Sequence, residues 1–198
     1  MISKYFELTK LNFETTNYLL LHGKNEGYKN DEITKIKKKL GKKITTYDEK
    51  QILDNTEQFI ESNLNESLFE NDKIILIKRC TDKMLGIVED LIEKKINDII
   101  FIFDSEILDK KSKLRIFFEK SKKQLVSVAF YPDNFEILMR MAQQILKVKK
   151  IFLSNECIST LISKSGNDRK NLLNEIEKIE MYSMDKKKNK QRGSICFN

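Results

Sequence analysis

Two rhythms run along this chain. Up to about residue 130, short segments that are apolar at nearly every position alternate with longer segments whose apolar residues recur three and four apart. The short segments read as strands: Asn17–His22, Lys73–Lys78, Asp98–Asp104 and Gln124–Phe130, with the more polar Lys43–Tyr47 as a further strand. Between them lie predicted helices. Asp31–Leu40 carries Ile33, Ile36 and Leu40 on one face and stops at Gly41. Asp48 is positioned to cap a helix with Ile52, Leu53, Phe59 and Ile60 as its stripe. Asp82–Lys94 presents Leu85, Val88, Leu91 and Ile92, and Asp109–Lys120 presents Leu114, Phe117 and Phe118. A strand that is apolar on both faces needs cover on both, so the pattern predicts a mostly parallel α/β sheet with ligands expected beyond its carboxyl ends, at Gly23, Asp104 and Phe130.

The rhythm changes at Pro132, the only proline. From there to about residue 187 the pattern is helical. Asn134–Lys149 places Phe135, Leu138, Met141, Ala142 and Ile145 on one side, Ser154 opens a second helix through Lys164, and Gly166–Arg169 opens a third through Met184. Three short helices make a small bundle. Residues 189–198 show no periodicity and read as disordered. The expected organisation is an α/β domain over 1–132, a three-helix domain over 133–187 and a basic tail over 188–198.

Charge adds less than its total suggests. The net is +7 across 198 residues, but Lys186, Lys187, Lys188, Lys190 and Arg192 supply +5 of it with no acid after residue 185. A broad basic face is therefore not established. One internal cluster, Lys35, Lys37, Lys38, Lys39, Lys42 and Lys43, reads as a solvated helix end before it reads as a phosphate-contacting surface. No apolar run nears the roughly 20 residues of a membrane helix, and the N-terminus lacks the apolar stretch of a secretion signal. Cys80, Cys157 and Cys196 are odd in number and widely spaced. Together these features predict a reduced, cytoplasmic chain without disulfides, structural zinc or cofactor.

The first strand and the helix after it form the setting of a phosphate loop, whose backbone amides cradle phosphates and whose lysine neutralises them. The residues, Gly23-Lys-Asn-Glu-Gly27-Tyr28-Lys29, fit poorly: the second glycine comes one position early, Tyr28 stands where the lysine belongs, and no Ser or Thr comes next to hold magnesium. A degenerate loop is the reading; a working one would use Lys24 or Lys29. Asp104 and Glu106 end the most apolar strand, where an ATPase places acids on magnesium and water. Without the loop lysine they read as caps and loop acids. His22, the only histidine, reads as a strand-end side chain with satisfied hydrogen bonds. Arg169 reads as half of a surface ion pair with Glu175 or Asp168, or else as a group reaching toward a nucleotide. Leu68 and Phe69 are large apolar residues in a polar stretch; alone, they read as a staple to the core, with an exposed protein-binding anchor as the alternative.

In order and spacing, several segments resemble the delta subunit of the bacterial DNA polymerase III clamp loader. Tyr18–Gly27 resembles its first strand and degenerate nucleotide loop. Ser67-Leu-Phe69 before Asp72–Lys78 resembles its clamp-binding element and next strand. Leu108–Arg115 and Gly166–Lys178 resemble the segment after the acidic strand end and the lid helix. The resemblance implies an AAA+-like domain of P-loop NTPase type, a three-helix lid, and no ATP hydrolysis. It implies as partners the beta sliding clamp, the other loader subunits and, through them, primed DNA. It also turns Ser67, Leu68 and Phe69 into a wedge that enters the clamp. The family's collar domain has no counterpart in this sequence, which puts assembly with loader subunits in doubt.

Overall fold

The computed structural model describes residues 2–3, 8, 11–67, 73–94, 99–120 and 124–193. It divides into two compact units, Met1–Tyr131 and Pro132–Asn198. The first is a six-stranded, all-parallel sheet: β1 (Ile2–Ser3), β2 (Tyr18–His22), β3 (Lys43–Asp48), β4 (Lys73–Lys78), β5 (Ile100–Ser105) and β6 (Leu125–Ala129), in the spatial order β1-β6-β2-β5-β4-β3. Four strands were legible as apolar runs and β3 as a shorter, more polar segment; the sixth, β1, is a two-residue addition at the edge, too short to leave a pattern. β2 runs between β5 and β6, with later elements departing to either side, so its carboxyl end is the point where an open sheet forms its crevice.

The strict period of two explains why β2, β4, β5 and β6 are apolar at nearly every position. Odd and even positions feed different cores. Leu20, Ile75, Ile77, Phe101 and Phe103 pack under α2 (Glu49–Asp54), α3 (Thr56–Ser67), α4 (Leu85–Glu93) and α5 (Lys113–Lys120). Leu19, Leu21, Ile74, Leu76, Ile100 and Ile102 pack with Ile33 and Ile36 of α1 (Glu26–Leu40). The first face is aromatic: Tyr18 stacks on Phe101 at 5.4 Å, and Phe103 meets the edge of Phe118 at 5.7 Å.

Helix boundaries depart from the pattern in instructive ways. Asp48 caps with a full capping box, as its position suggests, but Asn55 breaks the expected single helix into α2 and α3. The Asp82 segment opens with a 3-10 turn, Asp82–Met84, which frees the Asp82 carboxylate to accept from the Ser112 hydroxyl and from the Lys113 and Leu114 amides. That carboxylate supplies the missing partners at the start of α5, which therefore begins at Lys113 and not at Asp109. Burial pushes the Asp82 pKa up, but the Ser112 hydroxyl and these two amides outweigh it and hold the carboxyl below its usual value.

The second unit holds α6 (Phe135–Val148), α7 (Asn155–Lys164) and α8 (Arg169–Gly193) around Leu138, Ala142, Leu146, Ile158, Ile162, Leu172 and Ile176. Asn134 and Ser154 cap α6 and α7. α8 runs on past Met184 to Gly193, so the stretch 189–193 is helical where its composition predicted disorder. Among the described residues, no helix is long and apolar enough to cross a membrane.

Candidate functional site

The start of α1 and the carboxyl ends of β4 and β5 frame a cavity of about 300 Å³, lined by Glu26, Lys29, Lys78, Arg79, Asp104, Ser105 and Glu106. Its lining pairs three cations with three acids, so it offers no net field to a polyanion. At its floor lies an ion triad. Lys29 is 1% exposed and Asp104 7%. The Lys29 ammonium donates to Asp104 Oδ1 at 2.6 Å and to the Ser105 carbonyl at 2.7 Å, while Lys78 donates to Asp104 Oδ2 at 2.7 Å. Both carboxylate oxygens thus hold a lysine. Removing one member of such a buried set leaves an uncompensated charge.

The backbone around Gly23 is equally committed. α1 starts at Glu26, five residues before the helix the periodicity predicts, so only Gly23, Lys24 and Asn25 separate strand from helix. The Asn25 side chain caps α1 by accepting from the Tyr28 amide at 3.0 Å. The Gly23 amide donates to the Glu106 carbonyl at 2.9 Å, Asn25 to Phe130, Glu26 to Lys24, and Lys29 to Asn25. Gly23 has φ +124, and a Cβ there would sit 2.2 Å from the Phe130 carbonyl oxygen. Glycine is required because the β6 end packs directly onto the loop.

These contacts correct three expectations, for Gly27 with Tyr28, for Asp104 and for Arg169. Gly27 and Tyr28 are not loop residues but first-turn residues of α1, and the Tyr28 ring meets the edge of Phe130 at 5.6 Å. Lys24 is exposed at the bend, and Lys29 turns inward to Asp104, so neither stands ready for phosphate. Asp104 is no loop cap but the centre of the triad; Glu106 is exposed. Arg169, expected at the surface beside Glu175 or Asp168, is 8% exposed and forms a two-pronged pair with Asp133, at 2.7 and 2.8 Å. That pair ties the start of α8 to the start of α6; Glu175 bonds Lys178 and Asp168 caps the Asn171 amide. The sequence reading missed Asn25, Lys78 and Asp133.

His22 is buried, as a strand-end histidine should be. Burial pushes its imidazole down to about 4, and Arg115 adds to the shift. The Lys35–Lys43 cluster lies over the end of α1: Lys35 pairs with Glu32, and Lys39 donates to the Leu11 carbonyl and faces the Phe13 ring at 5.2 Å. Leu68 and Phe69 lie outside the described residues; Ser67 is the last residue of α3. Among the described residues no cluster of His, Cys, Asp or Glu is arranged to hold a metal.

A magnesium nucleotide, which P-loop domains hold at this crevice, does not fit these residues. Five amides between Gly23 and Lys29 are already donated within the chain, and the acid that would face magnesium is held between two ammonium groups.

No protein-family profile matches the sequence, and no curated protein matches it. Solved structures do share its fold. The Bacillus subtilis DNA clamp loader delta protein (YqeN) aligns with 90% of the chain at 13% identity and a TM-score of 0.53. The replication initiator DnaA from Aquifex aeolicus, bound to AMPPCP, aligns with 96% at 14% identity and a TM-score of 0.55. Domain III of the Thermotoga maritima replication initiation protein DnaA aligns with 93% at 15% identity and 0.51. The chain spans 56% of the clamp loader protein's length and 64% of the Aquifex initiator's. The parallel α/β fold is thus shared with proteins of DNA replication.

Proposed function

We propose that this chain is a cytoplasmic, non-catalytic subunit of the DNA replication machinery, of the clamp-loader delta kind. In this reading it binds a ring-shaped sliding clamp through Leu68 and Phe69 and favours the open ring, while other subunits hydrolyse ATP. The carrying observation is the Lys29–Asp104–Lys78 triad, which fills from within the position where a motor subunit needs magnesium and nucleotide. The order of the segments Tyr18–Gly27, Ser67–Lys78 and Gly166–Lys178 supports the same reading. Ring opening results if the wedge binds the opened interface more tightly than the closed one, because only differential affinity shifts an equilibrium.

The test is calorimetric titration with a bacterial beta sliding clamp. Leu68→Ala and Phe69→Ala should each cost about 1–3 kcal/mol of binding, and the double variant should abolish it while keeping its circular dichroism spectrum. An unchanged affinity in the double variant overturns the proposal. So does tight binding of a fluorescent ATP analogue with magnesium, which would place the chain with the nucleotide-bound initiators.

A further inference from the structure

Among the described residues β3 ends the sheet, with β4 on one side and no strand on the other. Alternate residues of a parallel edge strand turn their N–H and C=O groups away from the one neighbour, so the outer edge presents a row of unpaired main-chain groups. Proteins usually blunt such a row with proline, a bulge, charge or a covering element. Here the register with β4 runs one for one from Lys43↔Lys73 to Asp48↔Lys78, without a bulge. Ile44, Thr45, Thr46 and Tyr47 are uncharged, and each is β-branched or aromatic; Lys43 and Asp48 stand only at the ends. Thr45 and Thr46 are exposed. Beyond the ladder with β4, residues 43–47 make no hydrogen bond.

A cavity of about 400 Å³ opens beside this edge, against α2 and α3. Tyr47, Ile52 and Phe59 are its apolar members, and the Tyr47 and Phe59 rings meet edge to face at 5.2 Å. The rest of the lining, including Thr46, Asn55 and Gln58, is hydroxyl and amide, and none of it is charged. The elements that form it carry both signs at their surface, Lys43 and Lys50 against Asp54, Glu57 and Glu61, while Arg79 is matched by Asp48. A charged side chain entering the groove would lose its water and find no counter-charge in the lining; an apolar one meets Tyr47, Ile52 and Phe59. A second copy paired antiparallel along the same edge would bring Lys43 of each beside Lys50 and the Arg79–Asp48 pair of the other, an excess of like charge. The neutral groove therefore favours a neutral strand of different sequence.

We propose that the outer edge of β3 and the groove beside it form a docking site for an extended, uncharged segment of a partner protein. The segment's main chain extends the sheet, and one of its apolar side chains enters the groove. The site uses neither the crevice nor Leu68 and Phe69, so its failure leaves the clamp reading standing, and the reverse.

Fluorescence anisotropy of the full chain tests it, with a labelled peptide of about eight residues that alternates Thr and Val around one central Phe. The parent peptide should bind. The same peptide with its amides methylated cannot extend a sheet and should bind at least about tenfold more weakly. Replacing its Phe by Glu should weaken binding comparably, because the lining offers no cation. In the chain, Thr46→Lys puts a charge on the exposed edge and should weaken binding of the parent peptide by about tenfold, with the circular dichroism spectrum unchanged. No binding of the parent peptide overturns the proposal, as does equal binding of the methylated peptide or tighter binding of the Glu peptide. A doubling of the chain's mass in sedimentation that Thr46→Lys reverses would give the edge to a second copy and overturns it too.

Discussion

The crevice of the α/β unit and the corner of the helical unit are opposites. At the crevice the polar groups that the fold makes available are answered from inside: Lys29 and Lys78 hold Asp104, and Asn25 caps α1. At the corner between α6 and α7, Val148 and Phe152 are exposed, and Lys149 is paired with Glu180. At the crevice, where such folds ordinarily meet a ligand, the central acid is matched by the chain's own lysines.

The largest effect should come from opening the closed region. Asp104→Ala leaves two ammonium groups without a counter-charge, Lys29 wholly buried, and should lower unfolding stability by about 3–5 kcal/mol in urea titration. A loss of under 1 kcal/mol would mean that the triad is solvated and the contrast false. Next is pH. His22 ionises near 4 in the folded state and near 6.5 unfolded, so the unfolded chain takes up its proton first as pH falls. Its contribution is complete above pH 6.5 and is lost progressively down to pH 4, by about 3 kcal/mol in total. Asp82, with a lowered pKa, acts in the same direction but only at more acid pH, below its ordinary 3.8. Denaturant midpoints measured across this window should therefore slope in the parent and flatten in His22→Asn. The smallest effect sharpens the other side of the comparison: Phe152→Ala should change stability by less than about 0.5 kcal/mol, since the ring packs against nothing it needs for folding. A substantial loss would show it to be part of the core.

Much of the scaffold was legible because its physics is local. Period-two strands apolar on both faces announce a covered parallel sheet, and Ile33, Ile36 and Leu40 announce α1. The site was legible only in the negative. That Gly23-Lys-Asn-Glu-Gly27 is a poor phosphate loop can be read from residue types alone. That α1 begins at Glu26 cannot, because Gly27 imitates a loop residue while Asn25 does the capping. Lys29 meets Asp104 across 75 positions, and Arg169 meets Asp133 across 36. Ion pairs at such separation leave no periodic trace, and nearer acids such as Glu175 are the natural but wrong partners to assign.

The two lysines on Asp104 have a consequence at the scale of the cell. A motor domain reads the supply of triphosphate through the shape of its crevice, and changes shape as that supply turns over. Here the lever is wedged by the chain's own side chains from the moment of folding. In the proposed reading, such a unit keeps one posture whether energy is plentiful or scarce, and the timing of the assembly it would serve comes from its neighbours.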